Sequence, residues 1–402
     1  MKKFCSLCCT LLLAFALAAP AFAVDVRDNG YDWQRFQNDK ITLNVYNWGL
    51  YISDGTDDSI DVIKEFEALT GIRVVYNTYD TNESLYAKLS SGGGDYDLII
   101  PSDYMIGKMR EEGMLAKLNF DNIPNFDKIG ASYKGRSYDP KDEYCVPYTW
   151  GVVGIVYNQT MVEDEVTSWS ALWDERYAGN ILMFNNSRDA YAIAAKKLGM
   201  SLNPQTPQEL KLLNEELKTQ KHLVQAYVMD EIFDKMGGGE AALAPYYAGD
   251  ALTMIDENPD LAFVIPEEGT NYFVDAMCIP KGSRNQEAAE MLINFMCETD
   301  IALANCEFIG YSTPQTDAQA LLPDEIKNSP IAYPPPEVLA KTETMNVLTF
   351  EMNDAMSAAW SEMKSFDENG SGWLIPVMLA VMLALTVFGF WRKAKKRRRN
   401  QY

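Results

Sequence analysis

The sequence predicts an α/β fold built as two interwoven lobes, and three observations carry that reading. Between Ile41 and Pro101, apolar residues alternating with period two give way repeatedly to apolar residues at helical spacing. That order calls for a sheet with helices packed on its faces. A similar order restarts near Val152, and no low-complexity linker lies between the two units. At 402 residues the chain has room for both.

In the first unit Ile41, Leu43 and Val45 alternate with Thr42, Asn44 and Tyr46, as a strand requires. A helix follows with Ser59 as its N-cap, Ile63, Phe66 and Leu69 on one face, and Thr70-Gly71 as its stop. Ile72–Tyr76 is a second strand, Glu83–Leu89 a second helix running into Gly92-Gly93-Gly94, and Asp97–Ile100 a short third strand. Helical crossovers of this length make the strands parallel.

In the second unit Val152–Tyr157 reads as a strand, Trp169–Trp173 as helical, and Ile181–Phe184 as a strand. Helices follow at Ala190–Leu198 and around Glu209–Lys218. Ala241–Ala244, Leu261–Ile265 and Tyr272–Ile279 read as strands, and Gln286–Cys297 as a helix. Pro334-Pro335-Pro336 is a stiff connector before a last helix, Val338–Met363. The resulting division gives residues 40–151 and 276–323 to lobe 1, and 152–275 and 324–366 to lobe 2.

Both ends stand outside this fold. Lys2-Lys3, the apolar run Leu11–Ala19 and Ala21-Phe22-Ala23 form a secretory signal peptide over residues 1–23, followed by a polar spacer over 24–39. Trp373–Trp391 is uncharged and about long enough to cross a ~30 Å hydrocarbon core as a transmembrane helix. The basic run Arg392–Arg399 in the tail 392–402 would stay cytoplasmic. The expected picture is an exported protein anchored on the outer face of a membrane. Cys145, Cys278, Cys297 and Cys306 allow three disulfide pairings; a Cys297–Cys306 bridge and four buried free thiols are both open.

Removing Lys2, Lys3 and the seven basic residues of Arg392–Arg399 leaves 26 of the 35 Lys+Arg against all 57 Asp+Glu, a net charge of −31. Such a surface repels phosphate backbones, so a nucleic-acid partner is excluded. It favours a cationic ligand. His222 is the only histidine and sits in a polar stretch, which removes histidine acid–base catalysis. Motifs for a serine elbow, a zinc protease or a phosphate loop are missing, and Gly237-Gly238-Gly239 is a turn. No enzyme activity, cofactor or metal is expected. Chance carboxylate pairs leave a hydrolase as the weakest alternative.

Ligands of open α/β sheets meet the carboxyl ends of strands. The segments there are Asn47-Trp48-Gly49-Leu50-Tyr51, Pro101-Ser102-Asp103-Tyr104, Asn185-Asn186-Ser187-Arg188-Asp189, Tyr246-Tyr247-Ala248-Gly249-Asp250, Tyr272-Phe273-Val274-Asp275 and Gly310-Tyr311. They bring aromatic rings and carboxylates toward one cleft. A ring face attracts an ammonium by roughly 0.5–2 kcal/mol, and a carboxylate adds a charge-assisted hydrogen bond. The combination suits a small organic polycation.

Five ordered motifs extend the pattern: Val45-Tyr46-Asn47-Trp48, Phe66-Glu67-Ala68-Leu69-Thr70-Gly71-Ile72, Tyr96-Asp97-Leu98-Ile99-Ile100-Pro101-Ser102, Val146-Pro147-Tyr148-Thr149-Trp150-Gly151 and Ile309-Gly310-Tyr311-Ser312-Thr313-Pro314. On these the chain, from Ile41 to Met363, closely resembles the spermidine/putrescine-binding proteins, the substrate-binding components of polyamine ABC transporters. The resemblance implies a periplasmic-binding-protein-like (type II) fold with a hinge. It also implies a monomer that captures a polyamine without reaction and delivers it to a membrane permease with its ATPase.

By that resemblance Trp48, Tyr51, Ser102, Asp103 and Tyr104 would face the ligand from lobe 1. Asn186, Arg188, Asp189, Tyr247, Asp250, Phe273 and Asp275 would face it from lobe 2, with Tyr311 completing the pocket. Asp189 and Asp275 match ammonium-binding acids, and Asp250 matches an acid of the putrescine-binding side of the family. The chain departs at Leu50, where relatives carry Glu or Asp, at Asn186, where the spermidine type carries Asp, and at Met345, where it carries Gln. The adjacent tyrosines Tyr246-Tyr247 keep a ferric-iron or other cation-binding protein as the alternative.

Overall fold

The computed structural model describes residues 30–366 together with Met382 and Thr386. The signal peptide, the first part of the spacer, the basic tail and all but those two residues of the expected membrane span therefore lie outside the described residues. Among the described residues no helix is long and apolar enough to cross a membrane.

Strand β1 (Thr42–Trp48) buries Leu43, Val45 and Asn47 on one face, the period-two pattern of its sequence. It pairs in parallel with β2 (Arg73–Tyr79), Thr42 opposite Arg73 through Trp48 opposite Tyr79, and with β3 (Leu98–Ile99). Helix α1 (Val62–Thr70) starts later than expected. Ser59 Oγ accepts the Gly55 N–H at 3.2 Å, so Asp61 becomes the N-cap and accepts the Lys64 N–H at 2.9 Å. Gly71, at φ 74°, ends it in the left-handed region that glycine enters without strain. Helix α2 (Asn82–Ser90) is closed by a capping box between Thr81 and Ser84. Beyond β3 the chain enters a helix that was read as loop, α3 (Asp103–Glu111).

Strand β4 (Cys145–Asn158) is 14 residues long, more than twice the expected Val152–Tyr157. Its first half contains Pro147, which weakens a strand signal, yet a register shift between Pro147 and Thr149 absorbs the missing donor. Beyond it lie β5 (Ile181–Phe184), α4 (Ser187–Lys197), α5 (Pro207–Gln220), β6 (Val224–Val228), α6 (Glu231–Gly237), β7 (Leu243–Tyr247), α7 (Ala248–Glu257), β8 (Leu261–Val264) and β9 (Tyr272–Cys278). Helices α8 (Gln286–Met296) and α9 (Thr299–Ile309) complete this part. The strand order is β2-β1-β3-β9-β4-β7-β5-β6, with β8 also on β4.

Two corrections concern topology. Parallel pairing holds for β1 with β2 and β3 and for β5 with β6 and β7, but β4 runs antiparallel to β9, β7 and β8, and β3 antiparallel to β9. The reason is the crossing itself: β4 carries the chain out of the first lobe and β9 carries it back, so their directions oppose. From Cys145 to Val152, β4 pairs with β9; from Val153 on it pairs with β7 and β8. The expected last helix is also broken, into Pro336–Leu339 and Phe350–Ser365. Between them Glu343 takes strand-like bonds, donating to Thr270 O at 3.0 Å and accepting from Tyr272 N at 2.8 Å.

Apolar side chains fill both lobes. Phe66 packs on Phe295 with ring centroids 5.4 Å apart, and Phe184 on Tyr246 at 5.3 Å. Burying each such side chain contributes about 1.5–3 kcal/mol. All four cysteines in the described residues are free and buried, so the Cys297–Cys306 bridge is absent.

Candidate functional site

Strand ends and helix starts converge between the lobes on a cleft of about 720 Å³, its open mouth included. Twelve of the thirteen expected residues line it: Trp48, Tyr51, Ser102, Asp103, Tyr104, Asn186, Asp189, Tyr247, Asp250, Phe273, Asp275 and Tyr311.

Asp275 projects from β9 and is buried. Tyr51 Oη donates to its Oδ2 at 2.6 Å, while Oδ1 has no hydrogen-bond partner. Burial raises its pKa to about 6 against the neighbouring Ser102 and Tyr51 hydroxyls, with Asp189 adding a smaller push upward. Asp189 lies in the first turn of α4, which begins three residues earlier than expected because Asn186 caps it. Asn186 Oδ1 accepts the Asp189 N–H at 2.9 Å, and its Nδ2 donates to Asp189 Oδ2 at 2.7 Å. Tyr247 Oη donates to the same oxygen at 2.7 Å. Burial raises the Asp189 pKa, opposed by these two hydrogen bonds.

Asp250 stands in the first turn of α7, a helix missed in the sequence. It accepts from Tyr311 Oη at 2.9 Å, and burial pushes it up to about 8. Asp103, the first residue of α3, is 2% exposed; its Oδ2 has no partner and burial pushes it to about 8. An isolated buried carboxylate that cannot find a cation keeps its proton. The positive ends of α3, α4 and α7 favour the ionised form when a cation arrives.

The rings form a continuous wall. Tyr51 and Tyr311 meet edge to face at 4.8 Å, Tyr247 and Phe273 at 5.4 Å, and Phe273 and Tyr311 at 6.3 Å. Trp48 leans on Tyr79 at 4.6 Å.

Arg188 is the exception. Its guanidinium lies over the Tyr104 ring at 4.4 Å from the centroid and donates to Asn346 O at 3.0 Å. It lines a separate depression with Lys108 and Phe350, outside the cleft. One position before Asp189 on the helix, Arg188 points about 100° away from it, and here that direction leads onto the Tyr104 ring. Arg188 therefore backs the Tyr104 wall.

Several lining residues escaped the sequence reading. Glu83, in the first turn of α2, accepts from Tyr104 Oη at 2.9 Å. Asn82, Met229, Asp230, Phe233, Tyr246 and Asn271 also face the cleft, as does Met345. Glu83 was read as the start of the second helix but not as a site residue; Asp230, the N-cap of a short helix, and Phe233 within it carry no mark in the sequence.

The lining holds six carboxylates, those of Glu83, Asp103, Asp189, Asp230, Asp250 and Asp275, and no lysine, arginine or histidine. Such a cleft can seat a multiply charged cation between ring faces. Among the described residues no group of His, Cys, Asp or Glu is arranged to hold a metal ion.

Comparison with known proteins agrees with this chemistry. The family described as bacterial extracellular solute-binding protein matches residues 61–334. The chain belongs to that family. Among relatives of this solute-binding protein, the spermidine/putrescine-binding periplasmic protein of Salmonella typhimurium is 35% identical over 338 residues, 84% of this chain and 92% of the relative. A putrescine-binding periplasmic protein of Pseudomonas aeruginosa is 28% identical over 384 residues, 91% of this chain and 99% of the relative. A solved structure of the spermidine/putrescine ABC transporter substrate-binding protein of Streptococcus pneumoniae superposes with a TM-score of 0.68 at 36% identity, covering 81% of this chain and 99% of that one. The solute-binding protein thus has the periplasmic-binding-protein-like fold that its motifs implied.

Proposed function

We propose that this chain captures polyamines, spermidine or putrescine, in its interlobe cleft outside the cytoplasm and presents them to an ABC permease. The observation that carries the reading is a ring-walled cleft with six carboxylates and no cationic side chain among its lining residues. The named relatives, at 28%, 35% and 36% identity over most of both chains, support the same ligand class over ferric iron.

In this reading the lobes divide at residues 40–151 with 276–323 and 152–275 with 324–366, and they close about β4 and β9 as hinged binding proteins do. The aliphatic stretches of the ligand lie against Trp48, Tyr247, Phe273 and Tyr311. Its ammonium groups meet Asp189, Asp250 and Asp275, whose ionisation replaces the hydration lost on closure. Capture involves no bond making. Tethering by Trp373–Trp391, with Arg392–Arg399 inside, raises the concentration of loaded protein at the permease.

Calorimetric titration of the full chain in detergent with 1,3-diaminopropane, putrescine, cadaverine and spermidine tests the proposal. We expect saturable binding with Kd on the order of micromolar, about −8 kcal/mol, for at least one of them. Heat only with Fe3+ would transfer the protein to the iron-binding alternative. A chain ending at Gly372 should stay soluble without detergent and bind with the same affinity; precipitation would remove Trp373–Trp391 as a separate anchor.

A further inference from the structure

One carboxylate of the cleft is unlike the others. Asp189, Asp250, Asp275 and Glu83 each receive a tyrosine hydroxyl. Asp103 accepts the Tyr104 N–H at 2.7 Å through its other oxygen, whereas the Asp230 side chain makes no hydrogen bond or ion pair among the described residues. It occupies the N-cap position of α6, where an aspartate ordinarily turns its carboxylate back onto the helix, yet no such capping bond forms. Glu231 supplies the local bond instead, accepting the Met229 N–H at 3.0 Å. The Asp230 carboxylate is left to face the cleft.

Its position is the mouth, at the seam of the two lobes. Asp230 comes from the second lobe, and its Oδ2 lies so close to Gly49 of the first that a β-carbon on Gly49 would stand 2.3 Å from it. Two rings line the cavity from the same two segments, Trp48 beside Gly49 and Phe233 one helical turn after Asp230. Asp80 and Glu231 are near enough for their charges to act on Asp230, and Asp230 in turn acts on Asp250. The acids therefore run as a file from the floor to the mouth, and the outermost has no counter-charge from the protein. Drawing Asp230 against the opposite lobe gains nothing unless a cation joins them, since it also draws Asp230 toward Asp80.

We infer that Asp230, with Trp48 and Phe233, is a second ammonium station that reads ligand length, engaged by the far end of a triamine and left empty by a short diamine. This rests on the polyamine reading above. A short diamine ends among the buried floor acids; a longer triamine held there at one end carries its far ammonium out to the mouth. A side chain at Gly49 would displace the carboxylate from this place.

The test titrates putrescine and spermidine by calorimetry into the full chain and its Asp230→Asn, Gly49→Ala and doubly substituted forms, with unliganded melting temperatures as the fold control. Asn has the same shape and the Asp230 carboxylate has no protein partner, so melting should not fall, and relief of repulsion from Asp80 and Glu231 should raise it slightly. Asp230→Asn should weaken spermidine about tenfold and putrescine less than about twofold. Gly49→Ala should weaken spermidine in the parent chain and add little when Asp230 is already Asn, the signature of one shared interaction. An unchanged spermidine-to-putrescine ratio in Asp230→Asn overturns the inference while leaving polyamine capture intact. Equal weakening of both amines by Gly49→Ala in both backgrounds also overturns it, assigning Gly49 to closure alone. A parent chain that binds neither amine brings down the functional proposal itself.

Discussion

The floor and the mouth of the cleft are built from the same two kinds of side chain, rings and carboxylates, but they hold their carboxylates differently. On the floor Tyr51, Tyr247 and Tyr311 each donate to an acid, at 2.6, 2.7 and 2.9 Å. These acids are fixed in place before any ligand arrives, and their burial favours the protonated form. At the mouth Asp230 is solvated on one side and held by no donor. A preset group contributes binding energy to every ligand that fits, because its ordering is already complete. A free group contributes only to a ligand long enough to order it. Affinity and selectivity are thus placed in different parts of one cavity.

The sharpest way to break this comparison is to remove a floor acid. Asp275→Ala should weaken every polyamine at least tenfold, about 1.4 kcal/mol, while the melting temperature without ligand stays nearly unchanged. A loss confined to spermidine would place Asp275 with the length-reading groups instead.

Acidity offers the next test. Asp275 at about 6 and Asp250 and Asp103 at about 8 sit above the usual unfolded value of about 3.9. A group with a raised folded pKa stabilises the fold fully below its unfolded value and loses that contribution as pH rises through the folded one. The unliganded protein should therefore melt progressively lower from about pH 4 to about pH 8. Binding needs the ionised acids, so polyamine affinity should rise over about pH 6 to 8, with protons released on binding near pH 7. Calorimetry in buffers of different ionisation enthalpy measures that release; its absence would show that the floor acids are already charged.

The smallest effect is expected at a donor. Tyr311→Phe keeps the ring and removes the hydroxyl that Asp250 accepts, so affinity for both amines should fall by about threefold to tenfold, the range of one hydrogen bond. A larger loss for spermidine alone would tie Tyr311 to the mouth.

Much of the floor was legible in the sequence because it sits where strands end. Trp48 ends a strand of clear alternation, Phe273 and Asp275 occupy a mostly apolar buried strand, and Tyr311 follows a helix-ending glycine. Asp189 lines the cleft although α4 starts three residues before the expected Ala190, since cap and loop share one address. Arg188 was misplaced for the same reason: a loop position leaves its direction open, and the packing of α4 sends it over the Tyr104 ring. The first half of β4 was obscured by Pro147, and only pairing with β9 makes it a strand. Helix α7 was hidden behind the aromatic run that precedes it. Asp230 gave no sign at all, because its distinction is the absence of a capping bond.

The sequence by itself determined the alternation of strands and helices, the acidic charge, the ring-and-acid composition of the loops and the kinship that follows from their order. These are local or additive properties, readable residue by residue. Only the tertiary structure decided that β4 and β9 oppose each other, that Arg188 stands behind the wall, and that Asp230 reaches Gly49 across the seam. Each of those depends on which distant segment arrives opposite, and that is set by packing the two lobes together.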